Sequence, residues 1–280
     1  MSELDEPLGS MTFLEHLEDL RSRIIRALAG LAGAYAAALV FADQIWLAVS
    51  DPAARALRAL GYRDELIILD PTDGFATVYI KLPVVAALFL SSPWALWQIW
   101  GFVAPGLYRR EKRFAAPLVV VSSLLFVGGG LFAYWVLFRQ GLEFLLGIGK
   151  GLHAQPAISM VAYTDLFVNV VVGVGVLFEL PVAIFFLALL RIASASFLLA
   201  NTRYAVLIIV LAAAFFSPTQ DAYNLTMLAV PMLLLYFAGV GAAFALELQR
   251  GERRFPWLAA IVVVLTIGGT AAALKWVVLR

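Results

Sequence analysis

The sequence predicts an all-α, polytopic transmembrane helical bundle, and three observations carry that prediction. Of the 280 residues, 63% are hydrophobic and 14% charged, against roughly 45–50% and about 25% in an average soluble domain. Mean hydropathy is +0.92. The apolar residues fall in long runs rather than in short alternating stretches. At roughly 20 apolar residues per crossing of a ~30 Å hydrocarbon layer, these runs permit about six or seven helices. The formal charge of +1 offers no basic field for holding nucleic acid through its phosphates. With no cysteine and only His16 and His153, neither a disulfide, a thiolate nucleophile nor a metal centre is expected.

Residues 12–24 read as an amphipathic helix. Thr12-x-x-Glu15 has the form of a capping box, and Phe13, Leu14, Leu17, Leu20 and Ile24 share one face while Glu15, Glu18 and Asp19 take the others. Such a segment is expected to lie at the membrane surface and to lead into a first span over 27–49. The three arginines before this Ala-rich run imitate a signal peptide, but more apolar chain follows Asp43-Gln44, so the span is read as uncleaved. Residues 50–76 hold three Arg, five acids, Pro52 and Pro71, and are read as an external loop with a short helix.

The second span, 75–102, contains Pro83 and Pro93, where kinks are expected. Trp94, Trp97 and Trp100 near its end are read as interface anchors in preference to a ligand cage. Tyr108-Arg109-Arg110-Glu111-Lys112-Arg113 separates it from the third span, 115–138. The fourth, 166–190, carries Glu179-Leu180-Pro181. The fifth, 204–216, has about 20 Å of helix at 1.5 Å per residue, short for an ordinary bilayer. Ser217-Pro218-Thr219-Gln220-Asp221 turns the chain into the sixth span, 225–246. Residues 257–278 are apolar enough for a seventh crossing, flanked by Arg250, Arg253 and Arg254. If the N-terminus is cytoplasmic, 12 of the 20 basic residues lie inside, so the charge bias favours that orientation. The whole chain, 1–280, is read as a single integral membrane domain without an internal repeat.

Glu179 is the strongest single signal for function. The span 166–190 places it near the bilayer midplane, where a charge costs roughly 2.5–3.5 kcal/mol on insertion scales. Two readings stand: a protonated acid donating one hydrogen bond to a neighbouring helix, or a polar feature of a pathway, helped by the carbonyl that Pro181 frees. Glu111 either neutralises its basic neighbours or offers a carboxylate to an arginine in a two-pronged fork that lysine cannot copy. Asp221 reads first as an N-cap for the sixth span. No Walker A loop, G-x-S-x-G elbow, H-E-x-x-H pair or G-x-G-x-x-G fingerprint occurs, so no enzyme, no catalytic residue and no cofactor is expected.

Several stretches together resemble the TatC family, the multispanning receptor subunit of the twin-arginine translocase. They are Phe-Leu-Glu-His-Leu-Glu-Asp-Leu-Arg-Ser-Arg (13–23), Lys81-Leu82-Pro83, Ser92-Pro93 through Gln98-x-Trp100, and Gly101-Phe102-Val103-Ala104-Pro105-Gly106-Leu107-Tyr108-Arg109-Arg110-Glu111. Phe178-Glu179-Leu180-Pro181-Val182-Ala183 and Ser217-Pro218-x-x-Asp221 leading to Leu228-Ala229-Val230-Pro231 complete the set. The resemblance implies a cup of six helices, to which 257–278 would add a seventh span, in the cytoplasmic (inner) membrane.

It further implies a receptor for the signal peptides of folded precursors that assembles with TatA- and TatB-type single-span partners, as a homo-oligomer within the receptor complex, and draws on the proton-motive force. Carried onto this chain, Glu111 with Phe102, Pro105 and Leu107 would form the main twin-arginine site, and Asp19 would give the second carboxylate. Glu179 would be the intramembrane polar residue, and Pro218 and Asp221 would belong to the outer turn. The short fifth helix would thin the bilayer locally. The chain departs from the family at Phe237, where a glutamate is common. A different class remains as the alternative, a proton-coupled transporter of a small solute that titrates Glu179.

Overall fold

The computed structural model describes residues 13–63, 65–103, 114–151, 157–217 and 221–249. Thr12, Pro105, Leu107, Glu111, Pro218 and the run 257–278 lie outside them. Among the described residues the regular elements are helices, with one isolated parallel bridge between Ile67 and Ser159. Five helical stretches are long and apolar enough to cross a membrane: Leu14–Val40, Asp73–Val103, Ala115–Ile148, Met160–Leu189 and Ala222–Leu248. The apolar helix Thr202–Phe216 is shorter. The chain divides into two compact units between Val172 and Gly173.

In the first unit, helix α1 runs unbroken over Phe13–Val40 and α2 over Ala42–Ala59. The segment expected at the surface, 12–24, and the start of the expected span 27–49 therefore lie on one helix, which ends at Val40, short of 49. Nothing in 21–30 breaks a helix, whereas Phe41 leaves helical geometry at φ −108°, ψ 19°. Much of 50–76 is likewise the second half of α2. That helix closes on a Schellman turn: Gly61 takes φ +81°, its N–H donates to Arg58 O at 3.0 Å, and Tyr62 N–H reaches Leu57 O at 2.9 Å. On α2, Asp51 grips Arg55 by hydrogen bond and charge and raises its guanidinium pKa.

After the short helix α3 (Asp73–Phe75) the chain widens into a π-helical turn, Ala76–Lys81, and continues as α4 (Leu82–Val103). Helix α1 packs most extensively along α4. Gly30 makes this possible, because a Cβ there would collide with the Trp94 indole, whose Nε1 donates to Arg26 O at 2.9 Å. Helix α5 (Ala115–Phe132), a π-helical turn (Ala133–Phe138) and α6 (Arg139–Gly151) form the next continuous stretch. It passes the boundary expected at 138 because Arg139 and Gln140 are both good helix formers. Phe89 lies over Gly130 and stacks on Phe126 at 4.6 Å, joining α4 to α5.

Prolines inside helices cannot donate to the carbonyl four residues back, and at three of them here side-chain hydroxyls stand in. Opposite Pro52, Ala48 O accepts from Tyr134 at 2.8 Å. Opposite Pro83, Tyr79 O accepts from Tyr35 at 3.1 Å, and opposite Pro93, Phe89 O accepts from Ser92 at 2.8 Å. Tyr163, on α7 (Met160–Leu177), is buried edge-on against Phe138 and donates to Val49 O at 2.6 Å. These bonds tie α2, the third span and the start of α7 together.

In the second unit, α8 (Leu180–Leu189) lies against α11 (Ala222–Gln249), with α9 (Ala195–Ala200) and α10 (Thr202–Phe216) beside α11. Helix α8 closes on a second Schellman turn, but with Arg191 at φ 59° in the position that favours glycine. Its N–H donates to Ala188 O at 3.1 Å and that of Ile192 to Leu187 O at 2.9 Å. Tyr236 donates to Leu198 O at 2.8 Å, and Phe237, the departure from the family pattern, is buried beside it.

Candidate functional site

The start of α1 and the close of α4 bring candidate residues together. His16, Asp19 and Arg23 are spaced three and four apart, which puts them on one stripe of α1. The His16 ring stacks on Phe102 at 4.3 Å and 19°. Arg23 Nε donates to Asp19 Oδ2 at 2.8 Å, and the two side chains are 21% and 24% exposed. The guanidinium lies across Gly101, where a Cβ would collide with it. Asp19 and Phe102 therefore belong to the same helix junction, Asp19 through Arg23 on Gly101 and Phe102 through His16. Glu111, Pro105 and Leu107 continue the same chain beyond Val103, outside the described residues.

Glu179 occupies a break. Helix α7 ends at Leu177 and α8 begins at Leu180, because Pro181 has no N–H for the Leu177 carbonyl. The Glu179 N–H turns back to Val176 O at 3.0 Å, and its carbonyl accepts from Ala183 at 2.9 Å. The side chain is half-buried. Glu179 lies about 15 Å along the chain from Leu189, the later end of the apolar helical stretch Met160–Leu189, at 1.5 Å per residue. Gly239 of α11 packs against this break: a Cβ there would stand 2.8 Å from Pro181 Cα and 3.1 Å from Ile184 Cβ.

Asp221 caps α11. Its Oδ1 accepts from Asn224 N–H at 2.9 Å and its Oδ2 from the Asn224 side-chain amide at 2.8 Å. Leu225 N–H bonds the Asp221 carbonyl at 3.0 Å. The preceding helix ends with Phe216 lying flat on Gly173. Gly173 falls about 20 Å along α7 from Met160, so the end of α10 meets α7 far from its start.

Sequence reasoning passed over two carboxylates. Lys81 and Asp165 form an ion pair of 2.5 Å with side chains 40% and 51% exposed, both within apolar stretches. A charge in such a run is a signal in itself. It went unread because Asp165 stands just before the expected start at 166. Glu247, 7% exposed, accepts from Ala195 N–H at 2.7 Å and fixes the end of α11 to the start of α9. As the last acid of an apolar helix it could have been singled out. Among the described residues, no three side chains gather as a metal site.

Comparisons with known proteins agree on one family. Residues 15–231 match the family described as Sec-independent protein translocase protein (TatC). A relative of that name from Koribacter versatilis is 40% identical over 249 residues, covering 89% of this chain and 91% of the relative. One from Carboxydothermus hydrogenoformans is 33% identical over 246 residues, covering 87% and 98%. Among solved structures, a crystal structure of the twin-arginine translocase receptor TatC matches with a TM-score of 0.69 and 31% identity, covering 82% of this chain and 99% of that one.

Proposed function

The chain belongs to the TatC family of Sec-independent protein translocase proteins, and from that premise we propose that it is the receptor subunit that binds twin-arginine signal peptides. The observation that carries this reading is that the α1 stripe bearing Asp19 meets the close of α4, His16 stacking on Phe102 and Arg23, the ion-pair partner of Asp19, lying on Gly101, on the chain that runs on to Glu111. Two adjacent arginines need paired carboxylates, and a guanidinium accepts the fork geometry that an ammonium does not. Glu111 is the first carboxylate and Asp19 the second, with Phe102, Pro105 and Leu107 forming the apolar surround.

The work is binding and assembly, without covalent chemistry. TatA- and TatB-type single-span proteins join the occupied receptor in the cytoplasmic membrane, several copies of this chain take part, and the proton-motive force supplies the energy. Glu179 is the polar position inside the bilayer that the assembled partners or cargo meet. The short α10 and the turn at Pro218 and Asp221 favour a locally thin bilayer through hydrophobic mismatch. The N-terminus lies in the cytoplasm, and a seventh span over 257–278 would place Arg280 outside. The small-solute transporter finds no support among the relatives described.

The test is photo-crosslinking of a twin-arginine signal peptide to membranes carrying this chain or Glu111→Ala. Loss of the crosslink is expected. Undiminished crosslinking to Glu111→Ala would remove that residue from the site. A protease-accessible tag after Arg280 reports on the seventh span, which predicts cleavage from outside only.

A further inference from the structure

Two Asp-x-x-x-Arg pairs stand on neighbouring helices of the first unit, and they close differently. On α2, Asp51 and Arg55 form a complete fork, with Nε to Oδ1 at 2.9 Å and Nη2 to Oδ2 at 2.7 Å. On α1, the same spacing gives one bond, Arg23 Nε to Asp19 Oδ2 at 2.8 Å. The Arg23 guanidinium instead lies across Gly101, where a side chain would collide with Nη1 and come within 2.8 Å of Cζ. Among the described residues, Asp19 Oδ1 and the Arg23 Nη groups take no further protein partner.

We propose that Arg23 is a displaceable internal occupant of the Asp19 carboxylate, which sets the affinity that an incoming arginine must exceed. The proposal rests on the signal-peptide reading above. An incoming guanidinium exchanges the single Nε bond for a two-bond fork on Asp19, so displacement yields one additional charge-assisted hydrogen bond. An incoming lysine exchanges one bond for one bond and gains nothing. The released Arg23 swings off Gly101 into solvent. In the empty receptor Arg23 keeps Asp19 compensated, so the carboxylate is not left as an open trap for any cation. Because the occupant subtracts the same amount from every ligand, it lowers affinity for arginine and lysine leaders alike. The arginine leader stays above the threshold and the lysine leader falls below it.

The experiment uses the full chain in lipid nanodiscs and fluorescent signal peptides carrying Arg-Arg or Lys-Lys, read by anisotropy. Arg23→Gln is expected to tighten Arg-Arg binding by about two- to fivefold, the size set by a partly exposed ion pair, and to make Lys-Lys binding detectable. The gain must vanish in the Asp19→Asn background, since removing a cation near a dicationic ligand would otherwise help without any exchange at Asp19. Weaker or unchanged binding by Arg23→Gln, or an equal gain with Asp19→Asn, overturns the proposal. Where Arg23→Gln fails to give a monodisperse protein, Arg23→Lys carries the test: a smaller gain of the same sign is expected, and no gain overturns it. A wild-type chain that binds Arg-Arg no better than Lys-Lys instead overturns the receptor reading, and the exchange with it.

Discussion

Replacing Gly239 by alanine sets two effects of opposite sign against each other at the packing surface behind Glu179. Inside a helix, alanine is favoured over glycine by roughly 0.5–1 kcal/mol. At Gly239, however, the new Cβ would stand 2.8 Å from Pro181 Cα, where carbon atoms prefer about 3.5–4.0 Å. The obstacle is backbone and cannot rotate away, so α8 must recede from α11 by about an ångström, and such overpacking costs about 1–3 kcal/mol. The clash therefore wins, and a net loss of about 1–2 kcal/mol is expected. Gly241 supplies the control two residues on, because nothing lies within 4 Å of a Cβ placed there. Gly241→Ala keeps the propensity gain and meets no obstacle. At about 2–4 °C per kcal/mol for a chain of this size, the two variants should differ by several degrees in midpoint when heated in detergent and assayed for monodisperse protein. If Gly239→Ala is as stable as Gly241→Ala, the close approach of α8 and α11 is not as described.

Ser92→Ala should cost about 1–2 kcal/mol by stranding the Phe89 carbonyl, and this cost should shrink in a Pro93→Ala background, where a backbone N–H returns; a double-mutant cycle on the thermal midpoint checks it. The two Schellman turns predict opposite signs: Gly61→Ala should lose about 1 kcal/mol, since φ +81° disfavours a Cβ, while Arg191→Gly should gain a few tenths to 1 kcal/mol, both measurable by the same melts. For Glu179, export of a twin-arginine substrate should fall less with Gln, which keeps its hydrogen-bonding capacity, than with Leu; equal loss would mean that ionisation itself matters.

The helical class was legible, as was the helical stretch Asp73–Val103 where the second span was expected over 75–102, because apolar runs of that length have few other homes. The far end of the first span, expected at 49, was not legible: the apolar run continues past Val40, but Phe41 leaves helical geometry and a second helix starts at Ala42. Asp221 as a cap was legible because the side chain that bonds N–H groups three residues ahead is local in sequence. The partner of Asp19 was also local, four residues on, but was passed over because the site was drawn for an external arginine. Lys81 with Asp165 and Glu247 with the Ala195 N–H were not legible, since such pairings join residues far apart in the chain and depend on which helices pack together.

The hydroxyls set opposite Pro52, Pro83 and Pro93 make those three proline sites into latched joints: bending the helix there means breaking a bond to a side chain. Pro231 in α11 has no such latch among the described residues, for the Met227 carbonyl receives no hydroxyl. Compliance should accordingly concentrate at Pro231 and at the Pro181 break, while the latched helices act as stiff struts. Faster amide exchange just after Met227 than around Ala48 or Phe89 is the mark such a mechanical division would leave.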